Sequence, residues 1–365
     1  LFFSIFVMII NFQVFRTVIL THLRHPMRTG IFKYSIYFLS VYISLILTSC
    51  QNDSQNEAAI QAVPMQVDAE NLDVQLFSCK TVAEVQALLD KHPYLAKVYF
   101  TDMEIPAAQL APQLFQLVQN PVLRNFHGQL DSLIGDRNQE IIQPLTDAFK
   151  KIKYHFPSFE APKVKFMVTG FMGNDLYVSD SLIVIGLDYF GGKYAAYRPD
   201  VFEYQLTRYQ KEYIVPSIVF FIANRYNKVS KDDQTLLAEM IGYGKDYEFV
   251  KQVLPHAPDS LIIGYSEQDL VKTYHSQSEI WAYFVSAKLL YDKTEIVKQK
   301  FIGERPFTME VGPKIPGGIG RWVGWRIVSQ YMEKFPETTL PELMQMDHSV
   351  DLLQKSGYHG QMDSK

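Results

Sequence analysis

The hydrophobic pattern is helical in the first part of the body of the chain. Thr81 and Glu84 have the spacing of a capping box, and an apolar stripe with helical periodicity follows them. Pro93 ends this helix, because proline lacks the backbone N–H that a helix interior needs. The pattern beyond it predicts three further helices, over residues 94–102, 107–118 and 138–154.

The pattern then changes to short runs that are rich in β-branched residues and separated by glycine, asparagine, aspartate and serine. These runs cover residues 164–168, 176–178 and 182–187, and Gly191 and Gly192 end the block. Such runs between turn residues are typical of strands. They predict a small antiparallel sheet in the middle of the chain.

Helical periodicity returns after residue 200. The segment 214–223 is apolar on nearly every side, which predicts a central buried helix, and Pro216 suits its first turn. The predicted helices cover residues 201–209, 213–227, 232–242, 245–253, 266–291, 293–301, 319–334, 339–346 and 349–356. The fold class is therefore α+β, mainly helical. We predict a single globular domain over residues 73–358.

The chain before this domain has the layout of an export signal. Residues 27–33 are basic, residues 34–49 are apolar, and Leu47-Thr48-Ser49-Cys50 ends the apolar run with small residues. These four residues resemble the lipobox of bacterial lipoproteins, in which the cysteine is acylated and becomes the new N-terminus. The resemblance predicts lipid attachment at Cys50. Residues 27–49 are then the signal peptide, and residues 1–26 are not part of the true product.

The alternative is an uncleaved transmembrane anchor, but the apolar run of 16 residues is short for a span of about 20. The polar, acidic segment 50–72 is typical of a flexible tether. We therefore predict a lipid-anchored protein of the cell envelope. The expected location is the outer membrane, facing the periplasm, with the bilayer as one partner.

Charge argues against a nucleic-acid partner. The first 49 residues contain four basic and no acidic residues, so the remainder has 31 basic and 39 acidic side chains. An acidic body is a poor phosphate binder. If Cys50 is acylated, Cys79 has no partner for a disulfide, and a small, half-buried apolar role is expected for it.

The sequence lacks the common catalytic motifs. The nine histidines include no pair four residues apart, as a helical zinc site of the H-E-x-x-H type requires. The sequence also contains no G-x-S-x-G nucleophile motif and no phosphate-binding loop. We predict no metal and no cofactor. Gly317-Gly318-Ile319-Gly320 opens a helix and is either a tight turn or a place for an anion.

The most distinctive stretch covers residues 317–331. Gly320 and Gly324 lie four residues apart, so they predict a bare helix face that another helix can approach closely. Four large side chains lie near that face: Arg321, Trp322, Trp325 and Arg326. Two interpretations remain open: dense packing with arginine stacked on an aromatic ring, or a partner-binding groove.

A second stretch, residues 278–284, contains Glu279 and Trp281. Glu279 precedes aromatic residues that should be buried, so it is a candidate for an ion pair with Arg321 or Arg326. Buried ion pairs of this kind are usually structural. We place Glu279 and Trp281 in the same candidate cluster for packing or partner binding.

These stretches, together with the lipobox, resemble the gliding-motility lipoprotein GldB family of the Bacteroidetes. The similarity spans residues 75–356, most of the mature chain. The matching segments are residues 182–191, 213–216, 279–284 and 320–331. The resemblance implies a cell-envelope lipoprotein that is needed for gliding. It also implies association with the adhesin-moving and type IX secretion apparatus, whose envelope proteins are the expected partners.

The same family is distantly similar to predicted zinc peptidases, and this leaves open a degenerate zincin-like scaffold. The zinc-binding helix of those peptidases corresponds to residues 214–223, which contain Pro216 and Ser217 but no histidine or glutamate. Without these ligands a catalytic zinc has no support. The resemblance makes Glu279 at most a relic of a third ligand, and we predict no enzyme activity.

The sequence leaves three functions open. The first is a non-catalytic lipoprotein that supports gliding or type IX secretion through protein–protein contacts. The second is a zincin-like metallopeptidase with atypical ligands. The third is a lipoprotein that binds sugars or peptides in an aromatic groove, although the 25 Phe and 22 Tyr suit a core equally well.

Overall fold

The computed structural model describes residues 56–100 and 105–361. They fall into two units, divided after Ala62. Of the first unit the structure describes a short helix, residues 56–61, in which Gln61 donates a hydrogen bond to Glu57. Cys50, the signal peptide and the first residues of the predicted tether, 50–55, lie outside the described residues.

A four-stranded sheet stands in the order β1-β2-β4-β3. The strands are β1 (Ala69–Asn71), β2 (Lys163–Met167), β3 (Leu176–Val178) and β4 (Leu182–Gly186). Strand β2 pairs in parallel with both β1 and β4, and β3 pairs with β4 in antiparallel fashion. The prediction of strands here is confirmed, but the sheet is mixed and not antiparallel. The tight turn after β3 forms a hairpin with β4, which leaves β4 parallel to β2.

Strand β1 shows that the folded body starts earlier than predicted. The predicted tether ended at residue 72, yet residues 69–71 pair with β2, and Val164 N–H donates to Asp68 O at 2.8 Å. Leu72, directly after the strand, is fully buried. Backbone pairing and this buried side chain hold the segment, so the folded part begins earlier than the predicted domain boundary at residue 73.

Between β1 and β2 the described chain forms five α-helices: α1 (Leu72–Ser78), α2 (Val82–Lys91), α3 (Ala107–Gln119), α4 (Pro121–Ile134) and α5 (Gln143–His155). The Thr81 hydroxyl accepts the Glu84 N–H at 3.2 Å, which confirms the predicted start of α2. Helices α1 and α4 were not predicted. The second predicted helix is a single wide turn over Leu95–Tyr99, and the third and fourth are confirmed.

An ionic cluster holds α1 in place. The Asp73 carboxylate is fully buried and accepts hydrogen bonds from Arg137 at 2.8 and 2.7 Å and from His127 at 2.9 Å. Burial raises the pKa of Asp73, but the bonds from His127 and Arg137 outweigh this and lower it. No local pattern predicts this cluster, because Asp73 lies more than 50 residues from both of its partners.

Ten α-helices follow the sheet in the part of the chain that the structure describes. They are α6 (Glu203–Leu206), α7 (Ile214–Tyr226), α8 (Leu236–Val253), α9 (Asp259–Ile263), α10 (Glu267–His275), α11 (Gln277–Ser286), α12 (Glu295–Ile302), α13 (Ile319–Lys334), α14 (Leu340–Gln345) and α15 (Ser349–Ser356). The predicted segment 266–291 is two helices, because the chain bends at Ser276. The prediction of 319–334 is confirmed residue for residue.

Helix α8 is the most enclosed of these helices. It was predicted as two helices, 232–242 and 245–253, yet it runs unbroken and 14 of its 18 residues are buried. Helix α7, predicted to be the central buried helix, has 7 buried residues of 13, and its Phe221 is 49% exposed. The core of this half of the molecule is therefore α8 packed between α7 and α13.

Candidate binding site

The middle of α13 lies directly on the backbone of α8. A methyl group placed on Gly324 would stand 1.7 Å from Met240 O, and one placed on Gly244 would stand 2.3 Å from Gly324 O. No side chain fits between the two helices there. The predicted close approach at the bare face of α13 is confirmed, and Gly244 supplies the matching bare face on α8.

The two tryptophans of α13 belong to the core. Trp322 is fully buried with its ring centroid 5.4 Å from that of Tyr274. Trp325 packs 5.6 Å from Tyr247, and its Nε1–H donates to Glu248 at 3.2 Å. Their rings therefore stabilise the packing of α13 and are not available to a partner.

The predicted ion pair of Glu279 is wrong. Glu279 lies on the exposed face of α11, and within the described part of the chain it forms no ion pair with Arg321 or Arg326. Arg326 is buried with its guanidinium carbon 5.5 Å from the centroid of the Tyr274 ring. Trp281 is half-buried and packs against Tyr358 at 5.1 Å. The candidate residues thus do not form one cluster.

Arg321 is different, because it faces a pocket at the start of α13. The pocket has a volume of about 130 Å³. Four chain segments, at residues 204–208, 247, 263–269 and 303–306, and the turn into α13 surround it. Its polar lining consists of Tyr204, Thr207, Arg208, Tyr247, Tyr265, Ser266, Asp269, Glu304, Arg305 and Arg321. Gly317 and Gly318, which the sequence singled out as a turn or an anion site, form part of its wall.

Two of the three arginines in the pocket are already neutralised. Arg208 pairs with Glu304 at 3.0 Å, and Arg305 pairs with Glu310 at 3.1 Å. Arg321 instead donates through Nε to Ile302 O at 2.6 Å and stacks 4.7 Å over the Tyr243 ring. Among the residues that the structure describes, no carboxylate forms an ion pair with Arg321.

Tyrosines form the polar wall opposite. Tyr265 donates to Gly317 O at 2.9 Å, which fixes the turn before α13. Tyr247 is only 4% exposed and lines the pocket, where its hydroxyl oxygen accepts a hydrogen bond from Arg321 and its proton has no acceptor among the described residues. Burial raises the pKa of Tyr247 to about 12, although Arg321 opposes the rise, so the hydroxyl keeps its proton at neutral pH. It is a buried donor directed at the pocket.

A second cavity of about 180 Å³ adjoins the first, since Thr207 lines both. Lys193, Arg198 and Tyr197 are among its lining residues. Beside it, Tyr194 and Phe202 are largely exposed, at 76% and 71%. The two cavities form a polar and aromatic groove along α6. Sequence patterns missed this groove because its residues come from six separate segments.

Helix α7 covers the segment 214–223, for which the resemblance predicted a correspondence with the zinc-binding helix of the peptidases. Its inward face consists of Ile214, Ile218, Val219, Ile222 and Ala223, all fully buried. Within residues 56–100 and 105–361, no three side chains of His, Cys, Asp or Glu come together as a metal-ligand group. Cys79 is a buried free thiol, and Sγ lies 3.4 Å from Gln75 O.

No described helix is both long and apolar enough to cross a bilayer. A search of curated proteins and of solved structures found no match to the chain. A family profile, described as gliding motility protein GldB, matches residues 53–360 and therefore covers nearly the whole described body. The chain therefore belongs to the family of the gliding motility protein GldB, a family of gliding-related lipoproteins.

Proposed function

We propose that this protein is a membrane-anchored lipoprotein of the cell envelope that supports gliding motility or type IX secretion by binding envelope proteins, without catalysis. Acylated Cys50 anchors it, and the outer membrane facing the periplasm is the proposed location. Family membership over residues 53–360 supports the link to gliding. The lipobox Leu47-Thr48-Ser49-Cys50 supports the anchor.

The observation that carries the binding role is the pocket at the start of α13. It presents a guanidinium without a carboxylate partner in the described chain, Arg321, beside a buried phenol whose proton has no acceptor there, Tyr247. Buried polar groups normally find partners within the protein. Donors left open to a pocket are the groups that a binding partner would satisfy.

A non-catalytic role is supported by the composition of α7. A zincin-like peptidase needs imidazole ligands and a carboxylate base on this helix, and apolar side chains fill its inward face. Metal analysis of the purified full-length protein tests this part. We expect less than about a tenth of an equivalent of zinc, in keeping with a chain without a structural or catalytic zinc set. Stoichiometric zinc that is lost with proteolytic activity upon chelation would contradict it.

The function itself is tested in cells. A strain lacking the gene should lose colony spreading and the secretion of type IX substrates, and the wild-type gene should restore both. A Cys50→Ser gene should restore neither and should incorporate no labelled palmitate, because no thiol remains for acylation. Wild-type spreading and secretion in the deletion strain would refute the proposed function.

A further inference from the structure

We propose that the pocket at the start of α13 binds a single carboxylate of a peptide segment, either an acidic side chain or a chain end, between Arg321 and Tyr247. This rests on the proposed function, since it specifies the chemistry by which a protein partner would be recognised. Three observations carry it: the charge balance of the pocket, its unused donors, and its size.

The charge balance leaves one positive charge for a ligand. The guanidinium groups of Arg208 and Arg305 each have a carboxylate partner, at 3.0 and 3.1 Å, whereas the partners of Arg321 are the Ile302 carbonyl, the Tyr243 ring and the Tyr247 hydroxyl, none of which is a carboxylate. A guanidinium is always charged and matches a carboxylate with two parallel donors. One unneutralised arginine therefore favours a monoanion.

The unused donors surround the same space. The Tyr247 hydroxyl, on a side chain that is 4% exposed, has no acceptor among the described residues. Gly318, the residue directly before the 16-residue helix α13, also lines the pocket, so the positive end of the helix dipole adds to the attraction for an anion. The arginine and the helix start both favour an anionic ligand, and the Tyr247 hydroxyl offers it a hydrogen bond.

The lining also argues against a phosphate. Asp269 and Glu304 lie in the pocket wall, and a phosphate group carries about −2 at neutral pH. Two nearby carboxylates would repel such a dianion more strongly than they repel a carboxylate. The volume of about 130 Å³ accommodates a group of side-chain size, and the adjoining cavity at Thr207 gives room for the neighbouring residues of a peptide.

Calorimetric titration of the full-length lipoprotein in detergent micelles tests the inference. The probes are the pentapeptide Ac-AAEAA-NH2, its glutamine counterpart Ac-AAQAA-NH2, the free acid Ac-AAAAA-OH, and inorganic phosphate. We expect the glutamate peptide or the free acid to bind at least about tenfold more tightly than the glutamine peptide, because hydrogen bonds to a charged group are the stronger ones. Whichever of the two acids binds more tightly identifies the source of the carboxylate.

Variants assign the binding to the pocket. Arg321→Met should reduce affinity for the acid by about tenfold or more, and Tyr247→Phe, which removes only the hydroxyl, by about threefold. Arg225→Gln is the matched control, since Arg225 pairs with Asp180 outside the pocket. The control should bind as the wild type does. A cooperative melting transition in each variant shows that the fold is intact.

Equal affinity for the glutamate and glutamine peptides, with the free acid no tighter, would overturn the inference. So would tighter binding of phosphate, or binding that Arg321→Met and Tyr247→Phe leave unchanged. The proposed function and the carboxylate site are refuted by different results. If the deletion strain glides and secretes normally while the acid peptides bind, the role in gliding is wrong. If the strain is defective but no acid binds, only this inference is wrong.

Discussion

Glycine has opposite effects at the start and in the middle of α13. In the middle, Gly324 lets the backbone of α8 come so close that a methyl group would stand 1.7 Å from Met240 O. At the start, Gly318 adopts a φ of +66° and turns the chain beside an open pocket, which Gly317, Gly318 and Arg321 line. One segment of the sequence therefore contains a tightly packed region and a region with unused donors.

The difference shows how to interpret a conspicuous stretch of sequence. Gly, Trp and Arg between residues 317 and 331 appear as one motif, but the tryptophans and Arg326 belong to the packed region. Of the candidate residues in this helix, only Arg321 lines the pocket. We therefore expect changes in the middle of α13 to act on stability and changes at its start to act on binding.

The largest effect should come from Gly324→Ala. The added methyl group meets backbone atoms of Met240, which cannot move aside as a side chain could, so the two helices must separate. We expect a loss of about 3 kcal/mol in the free energy of unfolding, measured by urea denaturation. Gly128→Ala in α4 is the control, because nothing lies within 4 Å of its added methyl group. It should stabilise the protein by up to about 1 kcal/mol. Equal effects of the two changes would contradict the close contact.

The second-largest effect should come from Asp246→Asn, which replaces a buried carboxyl group of the packed helix α8 and changes how stability depends on pH. Burial raises the pKa of Asp246 to about 7, against an ordinary value of 3.8, although the hydrogen bond from Asn227 opposes this. A raised pKa gives stability that is present at low pH and is lost as the pH rises through 7. Between pH 5 and pH 8 the wild type should therefore lose about 2 kcal/mol more stability than Asp246→Asn. Parallel curves for the two proteins would contradict a raised pKa.

Gly318→Ala should have a smaller effect, at the pocket end of the helix. The left-handed backbone at Gly318 disfavours any residue with a Cβ, but the nearest backbone atom of another helix, Ile302 O, would stand 3.6 Å from the added methyl group, which is an ordinary contact. We expect a loss of about 1 kcal/mol in urea denaturation, from the strained backbone alone. A loss as large as that of Gly324→Ala would remove the distinction between the two regions.

Arg321→Met should have the smallest effect on stability. Its aliphatic part keeps the packing against Tyr243, and it breaks no ion pair with a described residue. We expect the free energy of unfolding to change by less than about 1 kcal/mol in urea, since one hydrogen bond to Ile302 O is lost. A loss of several kcal/mol would place Arg321 in the structural core.

How far the sequence predicts this structure depends on whether the signal is local. The bounds of α13, the start of α2 at Thr81 and the three central strands follow from capping, periodicity and β-branched runs. The break predicted between residues 242 and 245 is wrong because Gly244 reflects contact with α13, not a helix end. The direction of the strands could not be predicted, because β1 pairs with a strand more than 90 residues away.

The candidate site was predictable only in part. The turn at Gly317 and Gly318 and the presence of Arg321 were visible in the sequence. Tyr247 was not, because an aromatic residue in a buried helix looks the same whether its hydroxyl faces the core or a pocket. The pairing of Arg208 with Glu304, which leaves Arg321 as the remaining charge, joins residues almost 100 positions apart.

The central claim is that the protein supports gliding by binding through the pocket at the start of α13. Its most direct test is the rate of colony spreading in strains whose only copy encodes Arg321→Met or, as control, Arg225→Gln, with the lipoprotein at wild-type abundance by immunoblot. The claim predicts that Arg321→Met abolishes or severely slows spreading and that Arg225→Gln spreads normally. Normal spreading of the Arg321→Met strain would contradict it.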